Sequence, residues 1–247
     1  MSSKYGILVN LNFLQWIVSK AIALLPPVAI GNIEKYKMLS MMFYYTAVEN
    51  ISGDYLEFGV FTGSSFCHAV RAYNQSKKFQ EGTTAPPPRF FGFDSFAGFG
   101  ELEEIDRHPF FVNENFATSY KKVDDRVKRF RKIHTIQLIK GYFNESLKDG
   151  PEKYGITKAR IILIDCDTYA GAKEALNFCK SVIQVGTIII FDDYLSYKGK
   201  YDAGESLAFR EFLQDSSFSA REFGRYGLGG TVYIINAVEA THSARSV

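Results

Sequence analysis

The chain has 247 residues, 46% of them hydrophobic and 23% charged, with a formal net charge of +2; this suits one soluble α/β domain with a substantial core. So slight an excess of positive charge excludes a general affinity for nucleic acid or acidic membranes. Three cysteines, Cys67, Cys166 and Cys179, fall in apolar segments without CxxC spacing, which excludes a disulfide framework or structural zinc site and fits a reducing, cytoplasmic setting.

Residues 5–30 are apolar but interrupted by Asn10, Asn12, Gln15 and Lys20, so they fall short of the roughly 20 predominantly apolar residues of a spanning helix. The expectation is an amphipathic helix, ended by Pro26-Pro27, that packs on the domain or on a second subunit of a homo-oligomer; a peripheral membrane anchor is the alternative. Tyr36, Met38, Leu39, Met42, Phe43 and Thr46 predict a second helix over residues 33–48. We read residues 1–50 as a helical extension, 51–238 as one catalytic-size domain and 239–247 as a tail.

Gly53-Asp54 turns the chain into Tyr55-Leu56-Glu57-Phe58, a strand that runs out into Gly59-Val60-Phe61-Thr62-Gly63 and opens a helix capped by Ser64 or Ser65. A helix start after a close-approach glycine offers free N–H groups to an anionic ligand. The spacing is neither GxGxxG nor GxxxxGK[ST], which disfavours a nicotinamide dinucleotide or P-loop nucleotide. Residues 74–89 read as a loop, and Phe90 to Asp94 as a second strand ending on an acid, a position that commonly binds ribose hydroxyls. Residues 101–115 are polar and irregular, a candidate lid. Residues 116–132 read as one amphipathic helix with a solvated basic face. A third strand covers residues 134–139, followed by Lys140-Gly141-Tyr142-Phe143.

Ile161-Ile162-Leu163-Ile164 and Thr187-Ile188-Ile189-Ile190-Phe191 are apolar without alternation, as in strands buried on both faces of a parallel sheet. Both stop on acids: Asp165 and Asp167 after the first, Asp192 and Asp193 after the second. The helical pattern between them makes a βαβ unit, so four carboxylates converge outside the carboxyl ends of the strands, where ligands bind. A helix over residues 205–214 and a hairpin over residues 218–223 and 231–235 close the chain. Of the histidines, only His108, in the presumed lid, is a candidate substrate contact.

Leu56-Glu57-Phe58-Gly59-Val60-Phe61-Thr62-Gly63-Ser64-Ser65, Phe93-Asp94-Ser95-Phe96-Ala97-Gly98, Lys140-Gly141-Tyr142-Phe143, Ile164-Asp165-Cys166-Asp167-Thr168-Tyr169 and Phe191-Asp192-Asp193-Tyr194 together resemble the macrocin O-methyltransferase (TylF-type) family of sugar O-methyltransferases. The resemblance implies a Rossmann-like class I methyltransferase fold, a seven-stranded, mostly parallel sheet with a C-terminal antiparallel hairpin. It implies S-adenosylmethionine as cofactor, Mg²⁺ or another hard divalent cation, and a small-molecule or glycan hydroxyl as acceptor. Glu57 and the Gly59, Val60, Phe61, Thr62, Gly63, Ser64, Ser65 loop would hold the methionine end. Asp94 and Ser95 would bind the ribose, and Gly141 and Asp165 would complete the cofactor site. Asp165, Asp192 and Asp193 would ligate the metal, and Asp167 would be the general base. Two positions depart from the family: Cys166 stands where Gly is frequent, and Glu205 follows Gly204 where a basic residue is common. Two rival readings remain at this point. Asp165-Cys166-Asp167-Thr168 superficially fits a haloacid-dehalogenase nucleophile motif, and a cofactor-binding scaffold without turnover would carry the same fold.

Overall fold

The structure is a computed structural model that describes residues 12–77 and 86–237. Along the chain these form α1 (Asn12–Ala23), α2 (Pro27–Val48), β1 (Asp54–Phe58), α3 (Ser64–Ser76), β2 (Phe90–Asp94), α4 (Tyr120–Val127), β3 (Ile136–Lys140), β4 (Ala159–Ile164), α5 (Tyr169–Cys179), β5 (Ile188–Phe191), α6 (Gly204–Gln214), β6 (Phe218–Tyr226) and β7 (Gly230–Ala237). The expected tail at 239–247, the first residues of the chain and part of the loop before β2 lie outside the described residues.

The sheet has seven strands in the order β3-β2-β1-β4-β5-β7-β6. β1 to β5 are mutually parallel, and the β6–β7 hairpin joins antiparallel through β7. This is the expected class I methyltransferase arrangement. Because side chains alternate across a strand, the apolar runs divide between two cores. Tyr55, Phe90, Ile161, Leu163, Ile188 and Ile190 pack with residues of α2 and α3. Leu56, Phe58, Phe91, Phe93, Ile162, Ile164 and Phe191 pack with α5 and α6. Both faces are covered, which is why these strands carry no polar alternation. The chain winds outward from β1 through β2 to β3, then returns to β4 beside β1; that reversal leaves a crevice at the carboxyl ends of β1 and β4.

Three local expectations change. Neither Ser64 nor Ser65 caps α3; the N-cap is Gly63 in the left-handed conformation, and the Ser65 hydroxyl donates to Glu57 instead. The basic segment is not one helix. Ala117 is drawn into an extended bridge with Ala97, so α4 begins only at Tyr120 and tightens into a 3₁₀ turn over Lys128–Lys132. Its basic side chains do face solvent while Val123, Val127 and Phe130 are buried. Finally, α1 buries none of its residues; Phe13 and Trp16 are 70% and 57% exposed. It meets α2 at a bend of 100° and does not pack on the domain. No single described helix is long and apolar enough to cross a bilayer.

Candidate active site

Gly59 sets the crevice. It follows β1 with φ +90°, and a Cβ there would fall 1.8 Å from the Asp165 carbonyl oxygen, so only glycine lets the ends of β1 and β4 approach this closely. On the other side of β1, Asp94 ends β2. Its Oδ2 accepts the Phe61 N–H at 2.7 Å and its Oδ1 accepts the Phe96 N–H, while its burial raises its pKa above the ordinary carboxylate range. The Val60 N–H adds a third backbone donor, which leaves this carboxylate room for one further donor.

The cavity above these residues measures about 490 Å³ and is lined by Gly59, Phe61, Asp94, Ser95, Asp165 and Asp167, with Phe99, Phe116, Tyr142 and Phe143 as an aromatic wall. Several residues expected at the cofactor support this wall rather than line it. Val60 is core, Gly63 starts α3, and the Thr62 carbonyl accepts a hydrogen bond from Arg126 on α4. Ser64 opens α3 beside it. Gly141, φ +153°, donates its N–H to the Asp94 carbonyl at 3.0 Å.

Glu57 also lies behind the wall, fully buried, accepting from the Tyr55 and Ser65 hydroxyls. Burial pushes its carboxyl up to about 7 against these hydrogen bonds. The native state therefore keeps a proton that the unfolded chain releases near 4.5, and stability falls as pH rises from there through about 7. The contribution lost is on the order of 3 kcal/mol. Glu57→Gln, which cannot ionise, should flatten this part of the profile; melting temperatures of both proteins between about pH 5 and 8 check it, and parallel curves would refute it.

The acids at the ends of β4 and β5 do come together. One carboxylate oxygen from each of Asp165, Asp192 and Asp193 lies within 4.8 Å of the others. Between two of them sits Lys35 of α2, its Nζ 2.8 Å from Asp165 Oδ2 and 2.8 Å from Asp192 Oδ2. The Tyr226 hydroxyl of β6 donates to Asp192 Oδ1 at 2.7 Å. Burial works to raise Asp192, but Lys35 and Tyr226 outweigh it and hold the pKa below the ordinary value. Asp165, pushed by burial and by the Asp192 charge, lies well above its own.

Asp167 is 7% exposed and adopts φ +63°. Its carboxyl hydrogen-bonds that of Asp193; burial and then the Asp193 charge raise it strongly. Asp193 is raised by burial and Asp192, and the two hydrogen-bonded carboxyls titrate as a unit. A fifth acid joins them: Glu205, 1% exposed, accepts the Asp193 N–H through Oε2 at 3.0 Å. Its Oε1 has no partner among the described residues, and burial followed by Asp193 raises its pKa far above the ordinary value. Oxygen donors alone, clustered and in excess of the positive charge around them, fit a hard divalent cation such as Mg²⁺.

Sequence reasoning missed Lys35, Tyr226, Asp106 and Arg126. Asp106, buried in the presumed lid, accepts the N–H groups of Tyr169 and Ala170 and so ties that segment to the start of α5. None of the four stands in a motif, and their partners lie from 34 to 157 positions away, so no local pattern singles them out. Tyr197, whose hydroxyl donates to the Asp167 carbonyl at 3.2 Å, belongs to the Lys/Tyr-rich loop after β5. His108 stacks on Phe111 beside this loop but does not line the cavity, and His134 pairs with Asn74.

Comparison with known proteins accords with this geometry. The macrocin-O-methyltransferase (TylF) family model matches residues 24–215. No curated protein matches the sequence. The structure of the O-methyltransferase NovP superposes with a TM-score of 0.65 at 18% identity, covering 82% of this chain and 79% of that one. The calicheamicin methyltransferase CalS11 gives 0.62 at 20% identity over 95% and 94%. An O-methyltransferase from Bacillus cereus in complex with SAH gives 0.52 at 14% identity over 82% and 81%. The phosphotransferase and scaffold readings give way to the family match: the chain belongs to the macrocin-O-methyltransferase (TylF) family and is an S-adenosylmethionine-dependent O-methyltransferase.

Proposed function

We propose that the enzyme methylates a hydroxyl of a sugar or glycosylated small molecule with the help of a divalent cation, and that Asp167 is its general base. The observation that carries this reading is the convergence of Asp165, Asp167, Asp192 and Asp193 beside the Gly59–Asp94 crevice. The sugar acceptor is supported by the family and by the neighbour described as a TDP-rhamnose 3'-O-methyltransferase, which superposes with a TM-score of 0.53.

Asp94 and Ser95 take the ribose of S-adenosylmethionine, and Gly59 leaves room for its backbone-close approach. Asp165, Asp192 and Asp193 would hold the cation, which would supply positive charge that acidifies a neighbouring hydroxyl. Asp167 receives the acceptor proton as the acceptor oxygen bonds to the methyl carbon and the carbon–sulfur bond breaks, leaving S-adenosylhomocysteine. Orientation of the two reactants within the cavity supplies much of the rate, about 7–11 kcal/mol for well-aligned groups.

The test is formation of S-adenosylhomocysteine with a panel of nucleotide sugars and glycosides, before and after chelation. Turnover should fall by roughly 100-fold or more on chelation, equivalent to about 2.7 kcal/mol or more, and return with Mg²⁺. Chelator-insensitive transfer would remove the cation from the proposal; transfer only to acceptors without sugar would remove the sugar.

A further inference from the structure

Lys35 is the one described cation that hydrogen-bonds within the acid cluster, and it comes from outside the βαβ core, in the first half of α2. Its side chain is 12% exposed, so little water reaches the ammonium. It donates to the oxygens of two separate strands, bridging Asp165 after β4 and Asp192 after β5. These are two of the three residues that offer a metal its oxygens. The second oxygen of Asp192 is already committed to Tyr226. A divalent ion drawing on the same carboxylates meets the ammonium at close range, and like charges in a buried site repel strongly.

Resting on the metal-dependent reading above, we propose that Lys35 is a resident counter-cation that competes with the divalent ion for Asp165 and Asp192. Metal loading displaces its ammonium and loosens the first half of α2 against the sheet. In the metal-free protein Lys35 keeps the acids from driving the two strand ends apart, and the metal takes over that task when it arrives. The exchange lowers the apparent affinity for the ion, because binding must first break two charge-assisted hydrogen bonds. It also connects the charge state of the site to the helix that leads away to the exposed α1.

Two measurements test this on the full-length protein, with Mn²⁺ as the probe for affinity and Mg²⁺ for labelling. First, Mn²⁺ titration of wild type, Lys35→Met and Lys35→Gln should show tighter binding in both variants, by tenfold or more, while Lys35→Arg stays near wild type. Second, acetylation of wild-type lysines followed by mass spectrometry should show Lys35 protected without metal and labelled faster with saturating Mg²⁺. This second readout needs no variant and so survives any loss of folding. Unchanged or weaker Mn²⁺ binding in the variants, or Lys35 protection indifferent to Mg²⁺, overturns the competition while leaving the metal site standing. No Mn²⁺ binding by wild type or either variant overturns the metal reading and this inference together.

Discussion

Asp167→Asn lowers methyl transfer by about 10² to 10⁴-fold, the usual contribution of a positioned general base, and leaves S-adenosylhomocysteine affinity nearly unchanged. The choice of Asn follows from the backbone. Asp167 holds φ +63°, a left-handed conformation that Asn tolerates far better than Ala or β-branched residues. Its amide can still donate to Asp193, replacing the hydrogen bond of the protonated acid. What is lost is the capacity to take the acceptor proton. Turnover by the variant within a few-fold of wild type, with cofactor binding intact, would falsify the assignment of Asp167 as base.

Gly59→Val abolishes cofactor binding and destabilises the fold by on the order of 3 kcal/mol or more. Two costs combine. A branched side chain at φ +90° is strained wherever it points, and its Cβ would stand 1.8 Å from the Asp165 carbonyl oxygen, which backbone movement alone can relieve. Because Asp165 N–H is itself paired with the Phe58 carbonyl, pushing β4 away also opens the ladder between the two strands. Thermal unfolding and calorimetric titration with S-adenosylhomocysteine measure both effects. Gly92, on β2, makes a useful contrast. A Cβ there would meet the side chains of Val60, Leu138 and Phe66 at 2.8 to 3.0 Å, so Gly92→Ala should overpack the core without reshaping the crevice.

Much of this was readable from the chain because the chemistry is coded locally. The unbroken apolar runs before Asp165 and Asp192 require a sheet covered on both sides, and acids at the ends of adjacent parallel strands are then near one another by geometry alone. The family motifs sit on these same turns, so fold and acids were legible together. The rest depends on contacts distant in sequence. Lys35 falls beside Glu34 and Lys37 on a helix read from the spacing of its buried residues, and only docking of α2 on the sheet puts its ammonium between Asp165 and Asp192. The interruption of the basic helix arises from pairing of Ala117 with Ala97, which no propensity of Ala would suggest. Glu205 stood out as a departure from the family, but its burial against Asp193 appears only when α6 is packed.

Tyr226 has a practical consequence. The family match stops at residue 215, and trimming the protein to that boundary would seem to spare every shared motif. It would remove the phenol that grips Asp192, along with the strand that shields the β5 edge. Two neighbouring acids would then face water on one side. A stretch beyond the family match thus helps Lys35 hold down the pKa of a residue inside it, and a minimal version of this enzyme must retain the closing ribbon.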